Sequence, residues 1–199
     1  MIKNLIFDFG NVLVRHDLAP MLHRFWGNDE ARKQQSIALL SDADFVNDCD
    51  RGVIPFKQII KEKMQQHPDL ADMLQYYADH TIDEITGEVE GMRSLLTSLK
   101  QREYGLFGLT NWGNDVYKVM EKYDIFRLLD GWVISSEAHI IKPEREIYLR
   151  LCKKYELNPS ECLFTDDKST NVDGAKAAGM QGIVFVNAAQ YARDLQARI

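Results

Sequence analysis

Five short apolar runs recur along the chain, and their ends share a chemistry. Leu5-Ile6-Phe7 runs into Asp8, Leu106-Phe107-Gly108-Leu109 into Thr110, Trp132-Val133-Ile134 into Ser135, and Cys162-Leu163-Phe164 into Thr165 and Asp166, while Ile183-Val184-Phe185-Val186 closes before Asn187. Runs apolar at successive positions predict strands buried on both faces, as in a parallel sheet. Between them lie helical stripes: Met92, Leu95, Leu96 and Leu99 repeat at i, i+3, i+4, i+7, and Ile147, Tyr148, Leu151, Cys152 and Tyr155 trace another. Strand and helix therefore alternate, which predicts an α/β fold with a doubly wound parallel sheet and right-handed crossovers. Ligands in such sheets bind outside the carboxyl ends of the strands, where the polar residues just named would converge.

One stretch interrupts the alternation. From His16 to Asp83 the pattern is helical throughout: Leu18, Met21, Leu22 and Phe25 form one apolar face, Phe56, Ile59, Ile60 and Met64 a second, and Leu70, Met73, Leu74 and Tyr77 a third. The expected organisation is a sheet domain of residues 1–15 and 84–199 carrying a helical bundle, 16–83, inserted after the first strand. A bundle placed there overhangs the crevice and suits a lid that excludes water.

Composition narrows the function. With 45% hydrophobic and 27% charged residues the chain falls in the range of globular domains. A net charge of −6 argues against a nucleic-acid partner, which is held by clustered cations on phosphates. A small anionic ligand would instead need a local positive site. Cys49, Cys152 and Cys162 have neither CxxC nor metal-ligand spacing and read as reduced packing thiols. No window reaches membrane-spanning length and the start Ile2-Lys3-Asn4-Leu5 carries no leader pattern, so a cytoplasmic protein with no membrane partner is expected.

Four segments carry candidate chemistry. Phe7-Asp8-Phe9-Gly10-Asn11-Val12 puts a carboxylate at a strand end before a Gly-Asn turn, a position that capping residues also occupy. Leu109-Thr110-Asn111 offers a hydroxyl and backbone N–H groups at an expected helix N-terminus, suited to phosphate. Lys142-Pro143 adds a cation at a turn. Thr165-Asp166-Asp167, with Asn171 about a helical turn later, gathers oxygens suited to a hard divalent cation.

In this order the four segments resemble motifs one to four of the haloacid dehalogenase superfamily: FDFGNV at 7–12, LTN at 109–111, KP at 142–143 and FTDDKSTNVDGA at 164–175. The resemblance spans the core and implies a Rossmann-like sheet with a helical C1 cap at the insertion. It further implies an Mg²⁺-dependent phosphatase acting on a small phosphorylated metabolite, with Asp8 as the nucleophile that becomes an aspartyl-phosphate. Asp8, the Gly10 carbonyl and Asp166 would ligate Mg²⁺, with Asp167 and Asn171 behind them. Gly10, Asn11, Thr110, Asn111 and Lys142 would line the phosphate, Thr110 and Lys142 also stabilising the transferring group.

The chain departs from that pattern at Gly10, where superfamily phosphatases commonly carry a second Asp as general acid and base. Its absence favours a substrate whose leaving oxygen is already acidic. Motif one also resembles the FDxGNV branch that includes bacterial α-D-glucose-1-phosphate phosphatases, so a sugar 1-phosphate is the expected substrate. His16 is a candidate for the missing proton donor or an exposed hinge residue, Arg51 a substrate-facing cation or a solvated turn residue, and Trp112 a pocket floor or a packing residue. His23, His67, His80 and His139 lack ligand spacing, and Lys61-Glu62-Lys63 reads as a solvated face. Two rivals remain: a metal-free dehalogenase, disfavoured by the adjacent acids Asp166 and Asp167, and a non-catalytic phosphate-binding module that kept the fold.

Overall fold

The computed structural model describes all of residues 1–199. Its central sheet has five parallel strands: β1 (Asn4–Phe7), β4 (Gly105–Thr110), β5 (Gly131–Ile134), β6 (Cys162–Asp166) and β7 (Gln181–Val184), in the order β5-β4-β1-β6-β7. The order reverses at β1, which places the switch point, and hence the crevice, at its carboxyl end. In register, Phe7 lies opposite both Gly108 of β4 and Thr165 of β6, so Asp8, one residue on, emerges level with the ends of both neighbours.

Two layers of helix cover the sheet, and the period-2 pleat decides which residues meet each. Leu5 and Phe7 of β1, Leu106 of β4 and Leu163 of β6 face a cluster with Met92, Leu96 and Leu99 of α6 (Met92–Gln101), Val116 and Val119 of α7 (Val116–Lys122), and Tyr191 and Leu195 of α11 (Ala188–Gln196). Ile6, Phe107, Leu109, Cys162 and Phe164 point the other way, onto Ile147, Tyr148, Leu151 and Cys152 of α9 (Arg145–Lys154) and Ala175 of α10 (Ser169–Ala177). Gly108 has no room for a side chain, since a Cβ would come within 2.4 Å of the buried Phe9 ring.

Five helices fill the region between the first two long strands: α1 (Ala19–Trp26), α2 (Glu30–Leu40), α3 (Ala43–Arg51), α4 (Phe56–Gln66) and α5 (Ala71–Asp79). They enclose a cluster of their own, built on Met21, Leu22, Leu40, Phe45, Ile59, Ile60, Leu70, Met73 and Leu74. α3 packs against the short α8 (Ser135–Ala138) that follows β5.

Four features differ from the sequence reading. A two-stranded antiparallel ribbon, β2 (Val14–His16) with β3 (Ile85–Glu88), pairs the residues entering and leaving the helical region. The last strand is Gln181–Val184 rather than 183–186, because the Phe185 N–H closes the ladder on the Asp166 carbonyl and Val186 is already solvent-exposed. α2, which shows little apolar periodicity, and the short α3 are started by Asp29 and Asp42, whose carboxylates accept from the N–H groups of Arg32 and Phe45. The helix expected directly after Asn111 begins only at Val116, since the intervening Trp112 N–H donates to Ser135 Oγ. No helix is long and apolar enough to cross a membrane.

At the ribbon, His16 Nε2 lies 3.2 Å from the buried carboxylate of Glu84. Burial alone lowers the imidazole's proton affinity, but the hydrogen bond and charge of Glu84 outweigh it, and the net shift is upward. A group raised on folding contributes stability in full below its unfolded pKa of about 6.5, and loses it as pH climbs through the folded value. The stability difference between wild type and His16→Asn, from urea unfolding, should therefore be larger at about pH 5.5 than at about pH 8.5. Equal differences at the two pH values would show that no such pair forms.

Candidate active site

Asp8 leaves β1 with its N–H donating to the Thr165 carbonyl, an extension of the ladder that fixes the backbone beneath it. One carboxylate oxygen, Oδ1, accepts from the Phe9 N–H at 2.7 Å and lies 2.8 Å from Lys142 Nζ, whereas Oδ2 makes no hydrogen bond. Lys142 is fully interior. Its ammonium also reaches Asp166 Oδ2 at 2.7 Å and the Leu109 carbonyl at 3.1 Å, so its three protons have three acceptors. The Lys142 backbone is held just as firmly: its N–H donates to Asn111 Oδ1 at 2.8 Å, and Asn111 Nδ2 returns a bond to the Lys142 carbonyl at 3.1 Å. Asn111 therefore ties the end of β4 to the Lys142-Pro143 turn, whose peptide bond is cis.

Asp166, at the end of β6, is wholly buried and saturated with donors. The Lys168 N–H reaches Oδ1 at 2.8 Å, and Asn171 Nδ2 lies 3.1 and 3.0 Å from its two oxygens. The Tyr148 hydroxyl donates to the Asn171 carbonyl at 2.7 Å, bracing the first turn of α10 from α9. Asp167 accepts from Asn11 Nδ2 at 3.3 Å, and Asn11, at φ 57° in the turn after Gly10, also accepts the His16 N–H. Carboxylate oxygens of Asp8, Asp166 and Asp167 lie within 4.8 Å of one another.

The electrostatics follow from that crowding. Burial pushes the Asp8 carboxyl up to about 7 against the pull of Lys142, with the charge of Asp166 adding to the rise. Burial would also raise Asp166, but Lys142, the Lys168 N–H and Asn171 hold it below the usual carboxylate range. Lys142 is disfavoured by burial and yet raised overall, because two carboxylates share its charge. A site of this kind is strained by like charge and has one interior cation in balance, which suits it to accept more positive charge or a phosphoryl group delivered with it.

The structure thus brings Asp8, Asn11, Asn111, Lys142, Asp166, Asp167 and Asn171 into one network, beside Gly10 and Thr110. Thr110 is buried, and its hydroxyl has no partner within the protein. Other candidates lie elsewhere. Arg51 is paired with Glu144 at 2.6 Å and also donates to the His139 carbonyl, so it is an anchor rather than a free cation. Trp112 packs in the core, with its ring 4.0 Å from where a Gly10 Cβ would sit. His80 stacks on Tyr76 and His139 faces the Arg51 carbonyl. Lys168 lies within motif four and Ser135 among the strand-end residues, but the sequence alone assigns neither a role; Tyr148 and Asp50 belong to no motif, and Tyr148 could have been found only as a tyrosine within an apolar stripe.

The sequence profile of the haloacid dehalogenase-like hydrolases matches residues 2–179. The chain is 32% identical over 107 residues to the chloroplastic flavin mononucleotide hydrolase 1 of Arabidopsis thaliana, covering 54% of this chain and 44% of that protein. It is 33% identical over 93 residues to the sesquiterpene phosphatase astK of Aspergillus oryzae, covering 46% and 47%. The chain thus spans about half the length of these curated relatives. Among solved structures, a haloacid dehalogenase family enzyme from Bacteroides thetaiotaomicron, in complex with magnesium and inorganic phosphate, superposes with a TM-score of 0.70 at 20% identity over 94% of this chain and 96% of that one. At that identity the likeness establishes the shared fold.

Proposed function

Because this chain belongs to the haloacid dehalogenase-like hydrolases, we propose that it hydrolyses phosphate monoesters of small metabolites through a covalent phosphate on Asp8. The observation that carries this reading is the buried Asp8 carboxylate, with one oxygen pinned by Phe9 N–H and Lys142 and the other free to attack. The names of the two curated relatives, a flavin mononucleotide hydrolase and a sesquiterpene phosphatase, support it. Asp8 displaces the leaving oxygen from phosphorus, and water then attacks the aspartyl-phosphate to release phosphate and restore the carboxylate. Lys142 and the Asn111 amide position and neutralise the transferring oxygens, where most of the rate enhancement in phosphoryl transfer arises.

The hard oxygen donors of Asp8, Asp166 and Asp167, converging within 4.8 Å, fit a divalent cation. Asp8, Asp166 and the Gly10 carbonyl would hold it, with Asp167 and Asn171 orienting that set. Bound Mg²⁺ would offset the charge of the phosphoryl group and polarise it. Residues 16–83 form a cap over the crevice in this reading.

A sugar 1-phosphate such as glucose 1-phosphate is the proposed substrate, on the strength of the FDxGNV motif and of Gly10, since an anomeric oxygen, like an acyl or aryl one, leaves with less help than that of an ordinary alcohol. The test is phosphate release over a panel of sugar, nucleotide and acyl phosphates with Mg²⁺ and with EDTA. Metal-dependent release strongest on sugar 1-phosphates is expected; a preference for 6-phosphates would overturn the substrate, and halide release from haloacids without metal would overturn the chemistry.

Thr110 gives a sharper check. An unpartnered buried hydroxyl costs about 1–3 kcal/mol, which a phosphate oxygen would recover. Thr110→Val should leave stability unchanged or raise it by about 1 kcal/mol, yet slow phosphate release by about 10²-fold. Thermal unfolding and steady-state kinetics on the same preparation decide; a variant that is less stable and equally active would contradict the role.

A further inference from the structure

Motif one lacks its acid, and the proton for the leaving group must come from elsewhere. Glu84, at the ribbon, is committed to His16. Asp50 stands at the end of α3, and the backbone there is seated on the sheet domain from several sides. Ser135 Oγ donates to the Asp50 carbonyl at 2.5 Å while accepting from the Trp112 N–H at 2.9 Å, so a single hydroxyl joins Asp50 to the residue that follows Asn111. Arg51 is clamped by Glu144 and by His139, whose Nδ1 lies 3.0 Å from the Arg51 carbonyl. Gly52 takes the left-handed conformation, φ 64°, that ends α3, and a Cβ there would lie 2.6 Å from Ser136 Cβ, so helix and sheet domain meet without a gap.

Held this way, the Asp50 side chain is half-buried and makes neither hydrogen bond nor ion pair within the protein, although its backbone is fixed. An unspent carboxyl on a backbone held by the same Ser135 hydroxyl that holds the residue after Asn111 has the makings of a proton carrier. We propose that Asp50, delivered by the helical cap, is the general acid and base that Gly10 cannot provide. As Asp8 Oδ2 bonds to phosphorus and the bond to the leaving oxygen breaks, that oxygen takes its electron pair and the Asp50 proton and departs as a neutral alcohol. Water then attacks the aspartyl phosphorus, its proton passes to the Asp50 carboxylate, and the bond to Asp8 breaks, which returns both residues to their starting states. Burial supports the assignment by pushing the Asp50 carboxyl up to about 6, with Lys168 and Lys142 pulling down and Asp115 and Glu84 adding to the rise; an acid and base used in one cycle works best with a pKa near the working pH. The acidity of the substrate's leaving oxygen then becomes an advantage rather than a requirement.

This inference rests on the phosphatase reading, and its experiment separates the two. Asp50→Asn keeps the shape of the neutral carboxyl. In single turnovers on sugar phosphates with alkyl leaving groups it should slow alcohol release by about 10²-fold, whereas release of p-nitrophenolate, which needs no proton, should slow by no more than about fivefold; hydrolysis of the aspartyl-phosphate, for which Asp50 is the base, should slow alike for both. Across aryl phosphates the variant's rate should depend more steeply on leaving-group pKa than the wild type's. Adding Gly10→Asp to Asp50→Asn should recover sugar phosphate turnover, since a Cβ at Gly10 meets only ordinary contact with Trp112. An equal slowing of the leaving-group step on all substrates would mark Asp50 as structural, and unchanged rates in both steps would mark it as idle; either overturns the proposal while phosphatase chemistry stands. Phosphate release that survives Asp8→Asn would remove both.

Discussion

Asp8→Asn is expected to cut phosphate release by about 10⁴-fold or more while the protein remains folded. The amide is isosteric, its Oδ1 still accepts from the Phe9 N–H, and the site loses one of the two carboxylates that crowd Lys142. Losing the nucleophile of a covalent mechanism removes a step that the rest of the site cannot replace, whereas binding contributions survive. Substrate should accordingly still bind, and unfolding should occur at or above the wild-type temperature. Turnover within tenfold of wild type would end the aspartyl-phosphate reading; a variant that neither turns over nor binds phosphate would point to a collapsed site instead.

Lys142→Ala should be the most damaging single change to the fold without metal. The ammonium is the interior cation between two buried carboxylates, at 2.8 and 2.7 Å, and its removal leaves both without compensation. Breaking a buried ion pair by deleting one partner costs about 3–5 kcal/mol. For a chain of this size that corresponds to a fall in Tm of about 6–20 °C. The loss should be largest in EDTA and should shrink as Mg²⁺ is titrated in, because a bound cation neutralises the same two carboxylates. Phosphate release should stay low even when stability returns, since in the proposed mechanism Lys142 also positions the transferring group. Identical melting of the variant and wild type in EDTA would mean that the ion triad does not form.

The strands and the residues at their ends were legible because burial on both faces leaves an unmistakable mark: Leu5-Ile6-Phe7 runs straight into Asp8, and Cys162-Leu163-Phe164 into Thr165 and Asp166. What escaped notice depends on partners distant in sequence. β2 is three residues long with two of them exposed, and only its pairing with β3 makes it a strand. α2 buries Lys33 and Ser36 where an apolar stripe would be looked for, Ser36 being satisfied by Trp26 Nε1 and the Arg32 carbonyl and Lys33 by Glu30. The late start of α7 is set by Ser135, an element away. Asp50 has no motif around it; its place above the strand ends emerges only when α3 docks on α8.

The order of the sheet bears on how the chain is made. β1 leaves the ribosome before the other four strands of its sheet, yet it lies in the middle of the finished sheet, between β4 and β6. Asn11 must wait 156 residues for Asp167, and for most of synthesis the strand that carries Asp8 has one or both of its edges open. An apolar strand with free edges is a template for wrong pairing, and distant pairings form slowly. The helical segment that follows it can bury its own apolar cluster during that interval, so the nascent chain acquires a folded body before the strand that carries Asp8 has neighbours, and the helices proposed as the cap of the finished site also occupy the time in which the site does not yet exist.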